Sequence, residues 1–323
     1  MPISNNASYV PTINEFAAHW AVVNAALPAP LQVRAADGPT FELLNFTVLR
    51  ASLLTCLNDV IGNLNDQEIA RGDINLRKEA MLDALREFTQ TMNAYFQNTP
   101  YLNAVPKIPS ISDGEETFCA PLRDMASLWT KINLAPPPGG LPLPLILSDS
   151  TAQADFAAKL VNLTTAYATE ASAGQSVAIE RAKRDDCKAQ AYAVMKTYRQ
   201  AVPARCAQFP VLVDTLPVLT PNAGHTPDPV NASATFQAPD QSKVTYTAST
   251  DASLARYELR GNPGSRYSED DAVVVATNAP ADLLEFLTDF GLTQPGAQVA
   301  LKLYVVLTTG NEAGSPAMLV QRP

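Results

Sequence analysis

The residues able to do chemistry are few and widely spaced. The chain has two histidines, His19 and His225, and four cysteines, Cys56, Cys119, Cys187 and Cys206. His225 stands in the linker-like stretch Asn222-Ala223-Gly224-His225-Thr226-Pro227, and neither histidine lies in an HExxH or beside a GxSxG nucleophile motif. The cysteines show no CxxC spacing and have no nearby histidine to complete a zinc site; three of the four have apolar or helical neighbours, so buried thiols acting as small hydrophobes are expected, with a disulfide as the alternative if the protein leaves the cell. No P-loop or GxGxxG is present to cradle a phosphate. The expectation from these residues is no enzymatic activity and no catalytic, cofactor-binding or metal-ligating side chains.

Charged motifs have plainer readings. Arg71-Gly72-Asp73 could bind an integrin from an exposed loop, but it falls inside a helical segment. Glu269-Asp270-Asp271, next to Ser268, offers oxygen ligands for calcium, yet consecutive residues rarely converge on one ion, and a solvated turn is expected. Asn6, Asn45, Asn162 and Asn231 open glycosylation patterns, read as incidental. Arg181, Lys183, Arg184 and Lys188 form a basic patch, and ion pairs with Asp66, Glu68 and Asp73 on a facing helix are expected.

Composition narrows the partners. The 323 residues are 46% hydrophobic and 17% charged, enough apolar content to bury a core and to exclude disorder of the whole chain. A net charge of −9 argues against nucleic acid and anionic membrane, both of which bind excess positive charge. The first 26 residues carry no positive side chain after the start, and Asn14, Glu15, His19 and Asn24 interrupt their apolar stretch, unlike a secretory signal. No uninterrupted apolar run reaches about 18 residues, so no membrane insertion is expected. A cytoplasmic location is the default, with signal-independent export or a particle surface as the alternative.

Proline marks the elements that must position these groups. None of the 26 prolines lies between Pro39 and Pro100 or between Pro144 and Pro203. An interior proline removes a helical hydrogen bond at a cost of about 3 kcal/mol, so the gaps read as helical segments over about 40–97 and 151–202. Both carry an alternating four-three spacing. It runs Leu53, Leu57, Val60 through Leu85, Phe88, Met92 and Tyr95 in the first, and Phe156, Leu160, Leu163 through Met195, Tyr198 and Val202 in the second. The middle of each seam is polar. Each segment is therefore one long helix or a hairpin broken at Gly62, Gly72 or Gly174, and the unbroken register from Gln67 to Lys78 favours the long helix. Thr12 and Glu15 read as a capping box for a short helix with Phe16, Trp20 and Val23 on one face; a second short helix is expected from about Pro121 to Asn133. The stretches 98–116 and Pro136–Gly140 read as loops.

Beyond Pro203 the pattern changes. Residues 203–229 form a proline-rich connector, and 230–323 read as seven short strands separated by turns. In the sixth, Val299, Leu301, Leu303, Val305 and Leu307 are expected to face in, while Gln298, Ala300, Lys302, Tyr304 and Val306 face out. Gly291-Leu292-Thr293-Gln294-Pro295-Gly296 before that strand, Asn311-Glu312-Ala313-Gly314-Ser315 after it, and Tyr257-Glu258-Leu259-Arg260 in the third together resemble a bacterial fibronectin type III domain. Val299 stands at the place of that family's corner tyrosine. The resemblance implies a seven-stranded sandwich and leaves function open, because such domains serve as spacers, adhesive modules and assembly contacts alike.

The fold expected is thus multidomain α + β: an antiparallel long-helix bundle over 1–202, the connector, and a fibronectin III-like β-sandwich. The function expected is a non-catalytic structural or assembly protein, self-associating or part of a larger particle, with protein partners and no cofactor. The alternative is a monomeric adaptor or adhesion protein whose sandwich loops bind a protein or glycan. Tyr267, as an exposed aromatic, with Arg266 and Glu312, are the candidate interaction residues.

Overall fold

A computed structural model describes residues 2–34, 38–134 and 143–323. The expected loop at Pro136–Gly140 lies outside them. The described chain is helical in its N-terminal part and forms antiparallel sheets in its C-terminal part. Its contacts divide it into two compact units, one of residues 1–65 with 176–323 and one of residues 66–175. The expected boundaries at 202/203 and 229/230 both fall within the first unit.

Among the described residues there are five α-helices: α1 (Tyr9–Ala26), α2 (Leu43–Tyr95), α3 (Glu115–Leu134), α4 (Gln153–Arg205) and α5 (Pro210–Asp214). α2 and α4 are each a single helix of 53 residues, not hairpins. The glycines do not break α2, since Gly62 and Gly72 face open space and each costs only the helix propensity of glycine, about 1 kcal/mol. Gly174 has a different use: a Cβ there would lie 3.0 Å from Gln67 Nε2, so its bareness admits that side chain.

In residues 66–175, α2, α3 and α4 surround one core. Phe88 and Phe156 pack against the buried Trp129 at centroid distances of 5.5 and 5.8 Å, and the Trp129 indole donates to the Leu145 carbonyl. Arg71 meets Glu170, Lys78 meets the Tyr167 ring, and Phe88 shares Trp129 with Phe156, so α2 and α4 run antiparallel here. The seam ends one residue later than its spacing suggests: Phe96 is buried, while Tyr95 is exposed. Lys78, a polar position in the seam, is buried because its ammonium caps the preceding loop of α3, donating to the carbonyls of Ile111 (2.8 Å) and Asp113 (2.7 Å). α3 starts at Glu115, six residues before Pro121. One missing hydrogen bond is tolerated because Phe118, Leu122, Met125 and Trp129 bury a whole face.

In the other unit, α1 and the nearer parts of α2 and α4 enclose Phe16, Trp20, Phe46, Leu53, Met195 and Tyr198. His19 bridges this core to α5: Nε2–H donates to the Leu212 carbonyl at 2.9 Å, leaving Nδ1 to accept from the Tyr198 hydroxyl at 2.7 Å. Burial lowers the pKa of that ring, in keeping with the neutral tautomer. A two-stranded ribbon, β1 (Val33–Arg34) with β2 (Thr40–Phe41), leads into α2. α4 continues through Pro203 to Arg205, past the expected end, closed by the Cys206 N–H on the Val202 carbonyl.

The C-terminal strands number eight: β3 (Ala232–Gln237), β4 (Gln241–Tyr246), β5 (Leu254–Pro263), β6 (Val273–Asn278), β7 (Glu285–Thr288), β8 (Gln298–Leu307), β9 (Glu312–Gly314) and β10 (Met318–Gln321). The strand missed by sequence is the short β9, which pairs with β8 beyond β10. One sheet has the order β10-β8-β5-β6, the other β3-β4-β7. Val244 and Phe286 of the second share a core with Leu259, Leu301 and Leu303 of the first. The expected inward residues of β8 are buried, but so are Ala300, Tyr304 and Val306 on the opposite face. That face was expected to meet solvent. β8 is instead central in its sheet, and charged side chains, Arg260 and Glu269 among them, pack on that face.

Candidate functional site

The polar layer begins with Asn262. Its side chain, buried at the end of β5, donates to the Arg266 carbonyl (2.7 Å) and accepts from the Ser268 N–H (3.0 Å). These bonds shape the β5–β6 turn, which the Ala272 N–H closes on the Ser268 carbonyl (2.9 Å). Asp271 is thereby placed against α4. Arg181 forks onto its carboxylate at 2.9 and 2.5 Å, and Arg184 Nη1 reaches it at 2.9 Å while also donating to the Asp270 carbonyl. Burial raises the Asp271 pKa, but the two guanidiniums outweigh it and hold the carboxyl below its ordinary range. The expected pairing of this basic patch with Asp66, Glu68 and Asp73 is therefore corrected. Glu68 and Asp73 pair along their own helix with Arg71 and Arg77, since a neighbour one turn away is always within reach. The Arg-Gly-Asp tripeptide accordingly sits in mid-helix with both charges engaged.

The N-terminal residues close the other side. Asn5 and Ser8 form a reciprocal capping box, which sets Asn6 to donate to the Asp270 carboxylate at 3.0 Å and leads into Tyr9. Between these groups and α4 lies a cavity of about 580 Å³ lined by Tyr9, Arg184, Asp185, Lys188, Ser268 and Asp270, among others. Lys188 is its least satisfied member. Its ammonium is buried, has no hydrogen-bond partner among the described residues, and makes a loose ion contact of 3.7 Å with Asp185 and a distant one with the Tyr9 ring, 5.8 Å from its centroid. Burial, with Arg184 beside it, pushes its pKa down to about 8.

The acidic triplet lies in a turn in which Glu269 and Asp270 are exposed, as expected, while Asp271 is buried. Glu269 accepts from Lys302 (2.6 Å) and the Tyr304 hydroxyl (2.5 Å), Asp270 from Asn6, and Asp271 from the arginines, so the three carboxylates serve three different partners. Glu312 lies in the same layer. It takes Arg260 in two parallel bonds of 2.9 and 2.6 Å, and it accepts from Asn5. Arg260 is wholly buried, bonds Glu258 as well, and stacks its guanidinium 3.9 Å from the Tyr304 ring centroid. Tyr267, expected as an exposed anchor, is half-buried with its hydroxyl hidden and the Lys302 ammonium over its ring. Arg266 alone of the three candidates presents its side chain to solvent. Tyr267 and Glu312 thus belong to one covered network, and the missed signal is the alternation Glu258/Arg260 facing Lys302/Tyr304 across β5 and β8.

His225 finds a carboxylate, with Nε2 2.5 Å from Asp251 Oδ2, but on an exposed surface. Asp251 is held below its ordinary pKa by that contact and by the Ser253 N–H. No serine, threonine or cysteine hydroxyl or thiol is hydrogen-bonded to His225 among the described residues.

No protein family matches the chain, and no curated protein does. Among solved structures, an Fn3-like protein from Clostridium thermocellum is 18% identical over 31% of this chain and 96% of that one, with a TM-score of 0.25. Pectate lyase PelI from Erwinia chrysanthemi, in complex with tetragalacturonic acid, is 17% identical over 28% of each chain, with a TM-score of 0.24. The Clostridium perfringens spore cortex lytic enzyme SleM is 14% identical over 32% of this chain and 29% of its own, with a TM-score of 0.23. The expectation that the chain has no enzymatic activity is withdrawn, because two of these matches are enzymes. This chain spans less than a third of either enzyme, and no reaction is carried over from them.

Proposed function

We propose that the chain is a structural component that associates through its helical part, with copies of itself or within a larger particle, while its C-terminal strands form a displayed fibronectin III-like sandwich. The supporting observation is apolar surface on α2 that no core covers. An 18-residue window of that helix has a mean hydropathy of 1.2 and carries two charges at most, yet only 28% of it is buried. Leu44 and Val48, one turn apart, are 72% and 57% exposed. Contiguous apolar surface of this kind marks contact sites.

The two antiparallel sheets with a shared core support the sandwich. β7 is an edge strand, and Leu283, just before it, is 77% exposed, which suits a lateral contact. A cytoplasmic location is part of this reading, and the four free thiols are compatible with a reducing compartment. The test is the double variant Leu44→Glu/Val48→Glu in sedimentation velocity. The wild type is expected to associate and the variant to stay monomeric. An unchanged distribution, or a wild-type monomer that binds phosphatidylcholine vesicles through this face, would overturn the reading.

A further inference from the structure

A second cavity, of about 440 Å³, lies between one stripe of α4 and the segment after α5. Tyr192, Lys196 and Arg199 form its helical wall at one-turn spacing, and Val218, Leu219 and Thr220 form the other. Its lining holds two cations and no carboxylate, in a chain whose net charge is −9. The exposed Lys196 ammonium has no ion pair or hydrogen bond among the described residues, and Arg199 spends one N–H on the Pro217 carbonyl. A second observation is independent of the side chains. None of the successive N–H groups of Val218, Leu219 and Thr220 donates to an acceptor among the described residues.

Free amide donors on one wall of a cavity, with Lys and Arg that carry no ion pair among the described residues on the other, are the kinds of group that hold a tetrahedral oxyanion. Tyr192, Val218 and Leu219 line the cavity as well, beside the polar Gln200 and Asn222, and give an organic body apolar contacts. We propose that this cavity binds a small organic phosphate, its phosphoryl group on Lys196, Arg199 and the 218–220 amides, and its organic portion against Tyr192 and Val218. The site is separate from the surface invoked for association.

The test is calorimetric titration of the full chain at constant ionic strength with phenyl phosphate, inorganic phosphate and acetate. Phenyl phosphate is expected to bind at least about tenfold more tightly than either of the others. Lys196→Gln, which removes an unpaired exposed charge, should weaken it about tenfold without moving the melting temperature, and Lys196→Arg should restore it. Lys183→Gln, at a lysine already paired with Glu180, should leave it unchanged. Absence of binding, equal affinity for acetate or inorganic phosphate, or equal affinity in Lys196→Gln would each overturn the proposal.

Discussion

Arg184 on α4 and Asp271 on the β5–β6 turn form an ion pair of 2.9 Å in which both side chains are withdrawn from solvent. The pair ties a helix to a sheet within one compact unit, and Arg181 completes it from one turn earlier. Buried pairs are weak sources of net stability but costly to break singly, because the survivor is left charged in a poor solvent.

Asp271→Ala should therefore destabilise the chain by about 3–5 kcal/mol, whereas Arg184→Met combined with Asp271→Leu should cost far less. Urea unfolding of the two variants separates these outcomes. The Asp271 pKa is lower folded than unfolded, so its contribution is present above its unfolded value of about 3.9 and is lost as the pH falls through the folded value. Wild-type stability should drop in that acidic window, and the drop should shrink in the double variant.

Lys188 acts in the alkaline range, and its charge is a cost at neutral pH and not a gain. Its folded pKa of about 8 lies below its unfolded value, so between about pH 8 and 10.4 the unfolded chain binds more protons and stability rises with pH. Lys188→Met should remove that rise and stabilise the chain at neutral pH by about 1 kcal/mol. Thermal melts from pH 7 to 10 measure both effects.

Gly72→Ala distinguishes a continuous α2 from a broken one. A methyl group there meets open space, so the substitution should stabilise by about 0.5–1 kcal/mol through helix propensity. Destabilisation would mean that the glycine adopts a conformation denied to alanine.

Thiol chemistry reports on the cores. Burial raises the pKa of Cys119, Cys187 and Cys206, and Cys56 adds to the effect at Cys187. Iodoacetamide at pH 8 should label these three much more slowly in the native chain than in urea, as read by peptide mass spectrometry.

The helices were legible because their signals are local. Proline gaps and a four-three seam mark α2 and α4 to within three residues at each end, and Trp20 and Trp129 both lie buried on their expected stripes. The hairpin alternative could not be settled from glycine positions alone, since whether Gly72 is bent depends on its surroundings. The turns around β8 were also readable. What escaped was pairing at a distance: nothing in the spacing of Arg181 and Arg184 points to Asp271, 87 residues beyond Arg184. The surroundings of Tyr304 and Tyr267 likewise come from residues distant in sequence, Arg260 and Glu269 at the first and Lys302 at the second. Alternation reveals which residues share a face of a strand, but not what covers that face.

Association is tested most directly by light scattering after size exclusion over a hundredfold concentration range. The expected result is a mass that exceeds the 34.6 kDa of one chain and grows, or settles at a discrete multiple, as concentration rises. A mass of one chain throughout would contradict it.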